Sequence, residues 1–135
     1  MHHLTATAFS TTPVAAYADF DRLYLRAMRM WVLFARSGRS PRAPLAALLG
    51  ERTAARFSML MEACVVAWPE PFTTFPPCAC HCSPDESTLM ALIAHAETGT
   101  PDSAHAMLSD MLPIADRTRL WHAAMRCVAE RIGAP

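Results

Sequence analysis

Apolar side chains recur at helical spacing along most of this chain. The first such stripe lies between Tyr17 and Arg36 and consists of Phe20, Leu23, Tyr24, Ala27, Trp31 and Phe34. Arg22, Arg26 and Arg29 lie on another face of the same region. A second region starts near Pro44, breaks at Gly50 and continues as an unbroken stripe: Phe57, Leu60, Met61, Cys64, Val65 and Trp68. Spacings of three and four residues place these side chains on one helical face. The pattern therefore predicts helices over both regions.

Boundary signals predict where the other helices begin and end. The segment Ser83-Pro84-Asp85-Glu86 is a capping box with proline in the favoured first position, and Gly99 suits a helix end. Further helices are expected from Thr100-Pro101-Asp102 and over residues 113–132. No segment shows strand alternation. The sequence predicts an all-α, single-domain bundle of five or six helices, with a Pro- and Cys-rich loop over residues 69–83 before the third main helix.

Length and composition favour one soluble domain. The chain has 135 residues, of which 53% are hydrophobic and 18% charged. One core is usual at this size. No apolar run approaches the roughly 20 residues that cross a bilayer, and the N-terminus lacks the pattern of a signal peptide. We expect a flexible arm at residues 1–16, a helical domain at residues 17–135, and no membrane association.

The charges are segregated although they sum to zero. All twelve basic residues are arginine, and eight of them lie between Arg22 and Arg56. Residues 57–116 carry eight acidic residues and no basic one. The favoured interpretation is that these segments neutralise one another within a compact fold. The alternative is an arginine-rich surface for a protein partner, a second copy of the chain or nucleic acid.

The cysteines indicate a reducing compartment. Three of the five lie between Cys78 and Cys82, too close together to join distant elements as a secreted disulfide framework would. A cytoplasmic location is therefore expected. In that setting, clustered thiols suggest metal or redox chemistry.

The segment Cys78-Ala-Cys-His-Cys82 is the main candidate site. Cys78, Cys80, His81 and Cys82 directly precede a helix N-terminus, whose macrodipole favours thiolate, although Asp85 and Glu86 oppose that effect. Thiolates bind soft ions such as zinc, copper(I) or clustered iron. The paired C-x2-C spacing of strong zinc sites is absent. A distant fourth ligand would come from helical residues that otherwise belong to the core or surface: Cys64, His95, His105, His122 or Cys127.

Other chemistry is scarce. Met1-His2-His3 has the donors of a square-planar copper(II) or nickel(II) chelate, but an incidental polar terminus explains it as well. The chain contains no phosphate loop, dinucleotide fingerprint, nucleophile elbow or H-E-x-x-H helix. The sequence therefore favours a role without catalysis.

Four short segments resemble a family of small, uncharacterised bacterial helical proteins in which a cysteine triplet precedes a capped helix. The matching segments span roughly residues 19–133: Leu25-Arg-Ala-Met-Arg29, Ser58-Met-Leu-Met61, Pro77-Cys-Ala-Cys-His-Cys-Ser-Pro-Asp-Glu86 and Ser103-Ala-His-Ala106. The family's cysteines are contiguous, whereas Ala79 and His81 separate them here. The resemblance implies a helical fold and no particular activity.

Three functions are compatible with these patterns. The leading hypothesis is a metal-binding helical module with a regulatory or structural role, holding zinc or another soft ion at Cys78, Cys80, Cys82 and His81. The second is a redox-active thiol sensor or oxidoreductase, because a Cys-x-Cys pair can form a strained, oxidising disulfide. The third is an interaction module that uses the arginine-rich N-terminal half. A cysteine cluster with no specific chemistry also remains open.

Overall fold

The protein is an all-α bundle, as the sequence predicts. The computed structural model describes residues 12–133, and this range contains six α-helices, one 3-10 turn at Val14–Ala16 and no sheet. The helices are α1 (Asp19–Arg36), α2 (Arg42–Leu49), α3 (Glu51–Ala67), α4 (Pro84–Thr98), α5 (Pro101–Leu108) and α6 (Ile114–Gly133). None of these helices is long and apolar enough to cross a membrane.

Two glycines and one cap set the helix boundaries that matter most for the site. Gly50 separates α2 from α3 at a φ of 86°, and Gly99 ends α4 in the left-handed region at 69°. Both conformations strain any residue that carries a Cβ atom. At the start of α4, the predicted capping box of Ser83 and Glu86 is present with both of its hydrogen bonds. The loop over residues 69–83 therefore ends at a well-defined point.

The core is centred on the packing of α3 against α6, with α1 and α4 closing its sides. Tyr24 of α1 and Phe57 of α3 are fully buried and stack with their ring centroids 5.9 Å apart. Cys64 and Cys127 are also fully buried in this core. Their side chains thus continue the apolar stripes of their helices, as small hydrophobic residues commonly do.

Ion pairs join parts of the chain that are distant in sequence. Glu130 of α6 lies 3.3 Å from Arg52 and 3.6 Å from Arg56, both on α3. Arg131 pairs with Glu97 of α4 and lies 3.8 Å from Asp21 of α1. Of these pairs, Arg131–Glu97 joins a basic segment to the acidic residues 57–116, whereas Glu130 and Asp21 lie outside that range. The favoured interpretation of the charge pattern is therefore supported in part.

Two local features differ from the sequence expectations. Arg29 is buried, with only 5% of its surface exposed, rather than lying on a polar face with Arg22 and Arg26. Residues 12–16, expected to belong to a flexible arm, bond to the cysteine loop through Thr12 and Val14. Residues 1–11, including Met1-His2-His3, lie outside the described range.

Replacing Phe57 with alanine should destabilise the bundle by about 3–5 kcal/mol, because it removes a fully buried ring and leaves a cavity beside Tyr24. Urea unfolding followed by circular dichroism measures this loss. The matched control is Met59→Ala on the same helix, where the side chain is 46% exposed. Equal losses in the two variants would contradict the assignment of Phe57 to the core.

Candidate functional site: the cysteine loop and its buried ion pair

The cysteine loop is organised by Arg29, which reaches it from α1. The guanidinium bonds to Glu86 through Nε at 2.9 Å and through Nη2 at 3.1 Å. Its remaining N–H groups donate to the carbonyl oxygens of Ala79 at 3.0 Å, His81 at 2.9 Å and Pro77 at 3.5 Å. A guanidinium has five N–H donors, so every one of them has an acceptor here.

Glu86 accepts hydrogen bonds from both Arg29 and the backbone of the loop. Its carboxylate is fully buried and accepts the two bonds from Arg29. It also accepts the backbone N–H of Ser83 at 2.8 Å and that of Phe75 at 3.0 Å. Two carboxylate oxygens offer about four lone-pair sites, so both charges of this buried pair are fully satisfied. The capping residue of α4 is thus also the counter-ion of Arg29.

The same helix end holds the proline-rich approach to the cysteines. Ser83 donates its hydroxyl to the carbonyl of Thr73 at 2.7 Å. Asp85 accepts the indole N–H of Trp68 at 3.0 Å and the backbone N–H of Thr73 at 2.8 Å. The loop is therefore fixed to α4 on one side and to Arg29 on the other.

Residues 12–14 cover the inner part of the loop. The N–H of Cys82 donates to the carbonyl of Thr12, and the N–H of Val14 donates to the carbonyl of Cys80, both at 2.8 Å. Pro13 and His81 thereby form an isolated antiparallel bridge. Only the part around His81 pairs in this way, because the chain turns at Pro77 and Cys78, where the N–H of Ala79 donates to the carbonyl of Pro76, and bends at Cys80.

This backbone arrangement separates the three clustered thiols. Cys78, Cys80 and His81 are exposed. Cys82, the next residue, is fully buried. Burial raises the pKa of the Cys82 thiol, and the nearby Glu86 carboxylate raises it further. The partial burial of Tyr17 itself, together with the neighbouring Cys82, raises the pKa of Tyr17 to about 12. Cys82 therefore stays protonated at neutral pH, in the form that is a poor nucleophile and metal ligand.

The distant donors considered as a fourth ligand do not gather at the loop. Within residues 12–133, no group of three or more His, Cys, Asp or Glu side chains is arranged to hold a metal ion. Burial raises the pKa of Cys64 well above its usual range and that of Cys127 to about 12. The Nδ1 atom of His95 lies 2.9 Å from the hydroxyl of Thr100, just beyond the C-terminal end of α4. The remaining histidines, His105 and His122, lie on α5 and α6.

No known family model matches the chain, and no curated protein or solved structure is significantly similar to it. The resemblance to small helical proteins with a cysteine triplet therefore stays a prediction.

Arg29→Met should destabilise the protein by about 3–5 kcal/mol, because it leaves the Glu86 carboxylate buried without its counter-ion. The double variant R29M/E86Q removes both charges and should lose less than the sum of the two single variants. Chemical unfolding of all four proteins measures this coupling, expected at about 1–3 kcal/mol.

The matched control for the ion pair is Arg26→Met, since Arg26 lies one turn earlier on α1 and is exposed. Its effect should stay within about 0.5 kcal/mol. If Arg29→Met cost no more than Arg26→Met, the network described for Arg29 would not stabilise the fold.

Proposed function

We propose that this protein is a small non-catalytic module that binds a soft metal ion through the exposed thiols of Cys78 and Cys80. His81 becomes a further donor only by turning toward the ion on binding, since no three such side chains are grouped for a metal among the described residues. The observation that carries the proposal is that backbone groups hold the loop in place while two of its thiol side chains are exposed. Arg29 holds the loop through backbone carbonyls, so the side chains of Cys78 and Cys80 are not needed to maintain it. Both thiols are therefore available for a ligand.

The donor types favour thiophilic ions. Thiolates select copper(I) and zinc over hard ions such as magnesium, and imidazole binds both copper and zinc. Structural zinc sites are closed and usually have four protein ligands. Two exposed thiols and an exposed imidazole instead provide an open site with fewer donors. An open site suits uptake and release of an ion, so we propose a regulatory or exchange role rather than a structural one.

In this proposal Cys82 binds the ion only after the loop rearranges. Its thiol is fully buried, and residues 12–14 bond to the loop backbone on either side of His81. Binding through Cys82 would require that segment to move and the thiol to lose its proton against a raised pKa. The four-ligand set of Cys78, Cys80, His81 and Cys82 thus carries an energetic cost that the two outer thiols avoid.

A reducing compartment such as the cytoplasm fits this site. All five cysteines lie within the described range, and all five are free thiols. Two exposed thiols separated by one residue would be open to oxidation outside the cell, whereas cytosolic glutathione and thioredoxin keep thiols reduced. We therefore propose a cytoplasmic location.

The test is anaerobic titration of the full-length reduced protein with copper(I), and separately with zinc, against a competing chelator. We expect one ion per chain and a thiolate-to-metal absorption band. Cys78→Ser and Cys80→Ser should each weaken binding by at least about tenfold, because each removes a soft ligand. Absence of binding by the wild type, or binding unchanged in both variants, would refute the proposal.

Cys82→Ser is the matched control, since it changes a thiol in the same loop that is buried. Binding within about threefold of wild type supports the two-thiol site, while a loss as large as that of Cys78→Ser shows that Cys82 is a ligand and the two-thiol version is wrong. The helical circular dichroism signal of each variant confirms that the bundle is intact.

The same two thiols also favour a redox function as the second candidate. Cys78 and Cys80 would each lose a proton and an electron to form a disulfide, while glutathione disulfide is reduced to two glutathione thiols. Small-ring disulfides are strained and therefore oxidising. Titration in graded glutathione buffers without metal distinguishes this function: a reversible, intramolecular two-electron transition supports it, whereas independent glutathionylation of the two thiols argues against it.

A further inference from the structure

The outer face of α3 and α6 is a second feature of the surface, distinct from the cysteine loop. Among the described residues, five of the six exposed large apolar side chains lie on these two helices: Met59, Val65, Val66, Ile114 and Met125. Val66 is 77% exposed. Two of these side chains, Met59 and Val66, line one groove, and apolar exposure bordered by charged groups is typical of interaction surfaces.

A groove of about 640 Å³ runs between the two helices on this face. Its lining includes Ala63 of α3 and Ala123 of α6, together with the larger Met59 and Val66 of α3. The lining of α3 extends from Arg56 to Val66, which corresponds to about 15 Å, or nearly three helical turns. Small residues between larger ones allow another helix to approach the pair closely.

The charges along the groove select an acidic occupant. Arg56, Arg119 and Arg126 line it, against the single acidic residue Glu62. Arg126 makes no ion pair within the part of the chain that the structure describes, and it is exposed. Arg56 and Arg119 lie near Glu130 and Asp116, but such exposed pairs contribute little energy and can be exchanged for others.

The spacing of these arginines favours a helix, rather than an anionic lipid headgroup, as the occupant of the groove. Arg119 and Arg126 are seven residues apart on α6, which separates them by two turns and about 10 Å along the helix. A compact anion would require cations grouped around one point. Carboxylates two turns apart on a helix lying in the groove would meet both arginines, while its apolar side chains contacted Met59 and Val66.

We propose that the α3–α6 groove binds an acidic amphipathic helix of a partner protein. Recognition combines an apolar stripe that enters the groove with carboxylates that pair with Arg119 and Arg126, as in other helix-in-groove interfaces. This interaction does not depend on metal binding at Cys78 and Cys80. It would bring a protein partner to a face of the bundle separate from the thiol loop.

The test uses the full-length protein and a fluorescein-labelled helical peptide of roughly 14 residues, about four turns, with a leucine face and glutamates elsewhere. Fluorescence anisotropy should show saturable binding in the micromolar range. A matched peptide with lysine in place of each glutamate should bind at least about tenfold more weakly, because it meets arginines of like charge. Equal binding of the two peptides, or none by either, overturns the proposal.

Protein variants locate the site. Arg126→Glu and Val66→Asp should each weaken peptide binding by at least about tenfold, since both change exposed groove side chains without touching the core. The matched controls are Arg26→Glu and Leu33→Asp, which alter an exposed arginine and a 49% exposed leucine on α1. Controls within about twofold of wild type support the groove, whereas equal losses in the controls overturn it.

Two other occupants are separated by further measurements. Sedimentation equilibrium of the wild type and Val66→Asp shows whether a second copy fills the groove. A wild-type dimer that Val66→Asp dissociates and the acidic peptide does not displace would overturn the proposal. Binding to phosphatidylglycerol vesicles that depends on Val66, without binding to the peptide, would overturn it too.

Discussion

The buried pair of Arg29 and Glu86 is the interaction on which the arrangement of the cysteine loop depends. Bringing two charges out of water carries a large desolvation cost, which is recovered only when the remaining donors and acceptors are also satisfied. Here the five N–H donors of Arg29 and the carboxylate of Glu86 have partners throughout. Several of those partners are backbone groups of the loop. The loop conformation and the stability of the ion pair are therefore parts of one network.

The helices could be predicted from the sequence because their signals are local. The breaks at Gly50 and Gly99 and the cap at Ser83 depend on residues within one or two turns. The role of Arg29 could not be predicted in this way, because its acceptors lie about 50 residues further along the chain. No local signal distinguished it either, because Arg26 also stands between apolar residues, Leu25 and Ala27, and yet is exposed.

The candidate site was predicted in position but not in geometry. Three cysteines and a histidine within five residues indicate where chemistry is concentrated, yet the spacing cannot tell which side chains face inward. The turn at Pro77 and Cys78, the bend at Cys80 and the bridge between Pro13 and His81 fix that choice, because in a regular strand all three cysteines would face the same side. Cys82 becomes a buried, protonated thiol and the two others face solvent. The loop thus offers fewer exposed metal-ligand donors than its composition suggests, and a proposed ion held by them would exchange more readily.

Thiol reactivity tests most directly whether Arg29 holds this arrangement. In the wild type, alkylation with a maleimide followed by peptide mass mapping should modify Cys78 and Cys80 quickly, and the three buried cysteines slowly. Lysine has only three donors, so Arg29→Lys should release the loop and bring Cys82 into the fast group, while Cys64 and Cys127 stay slow. The conservative change Arg26→Lys should leave all rates unchanged. Fast modification of Cys82 in the wild type, or a Cys82 that stays slow in Arg29→Lys, would contradict the account.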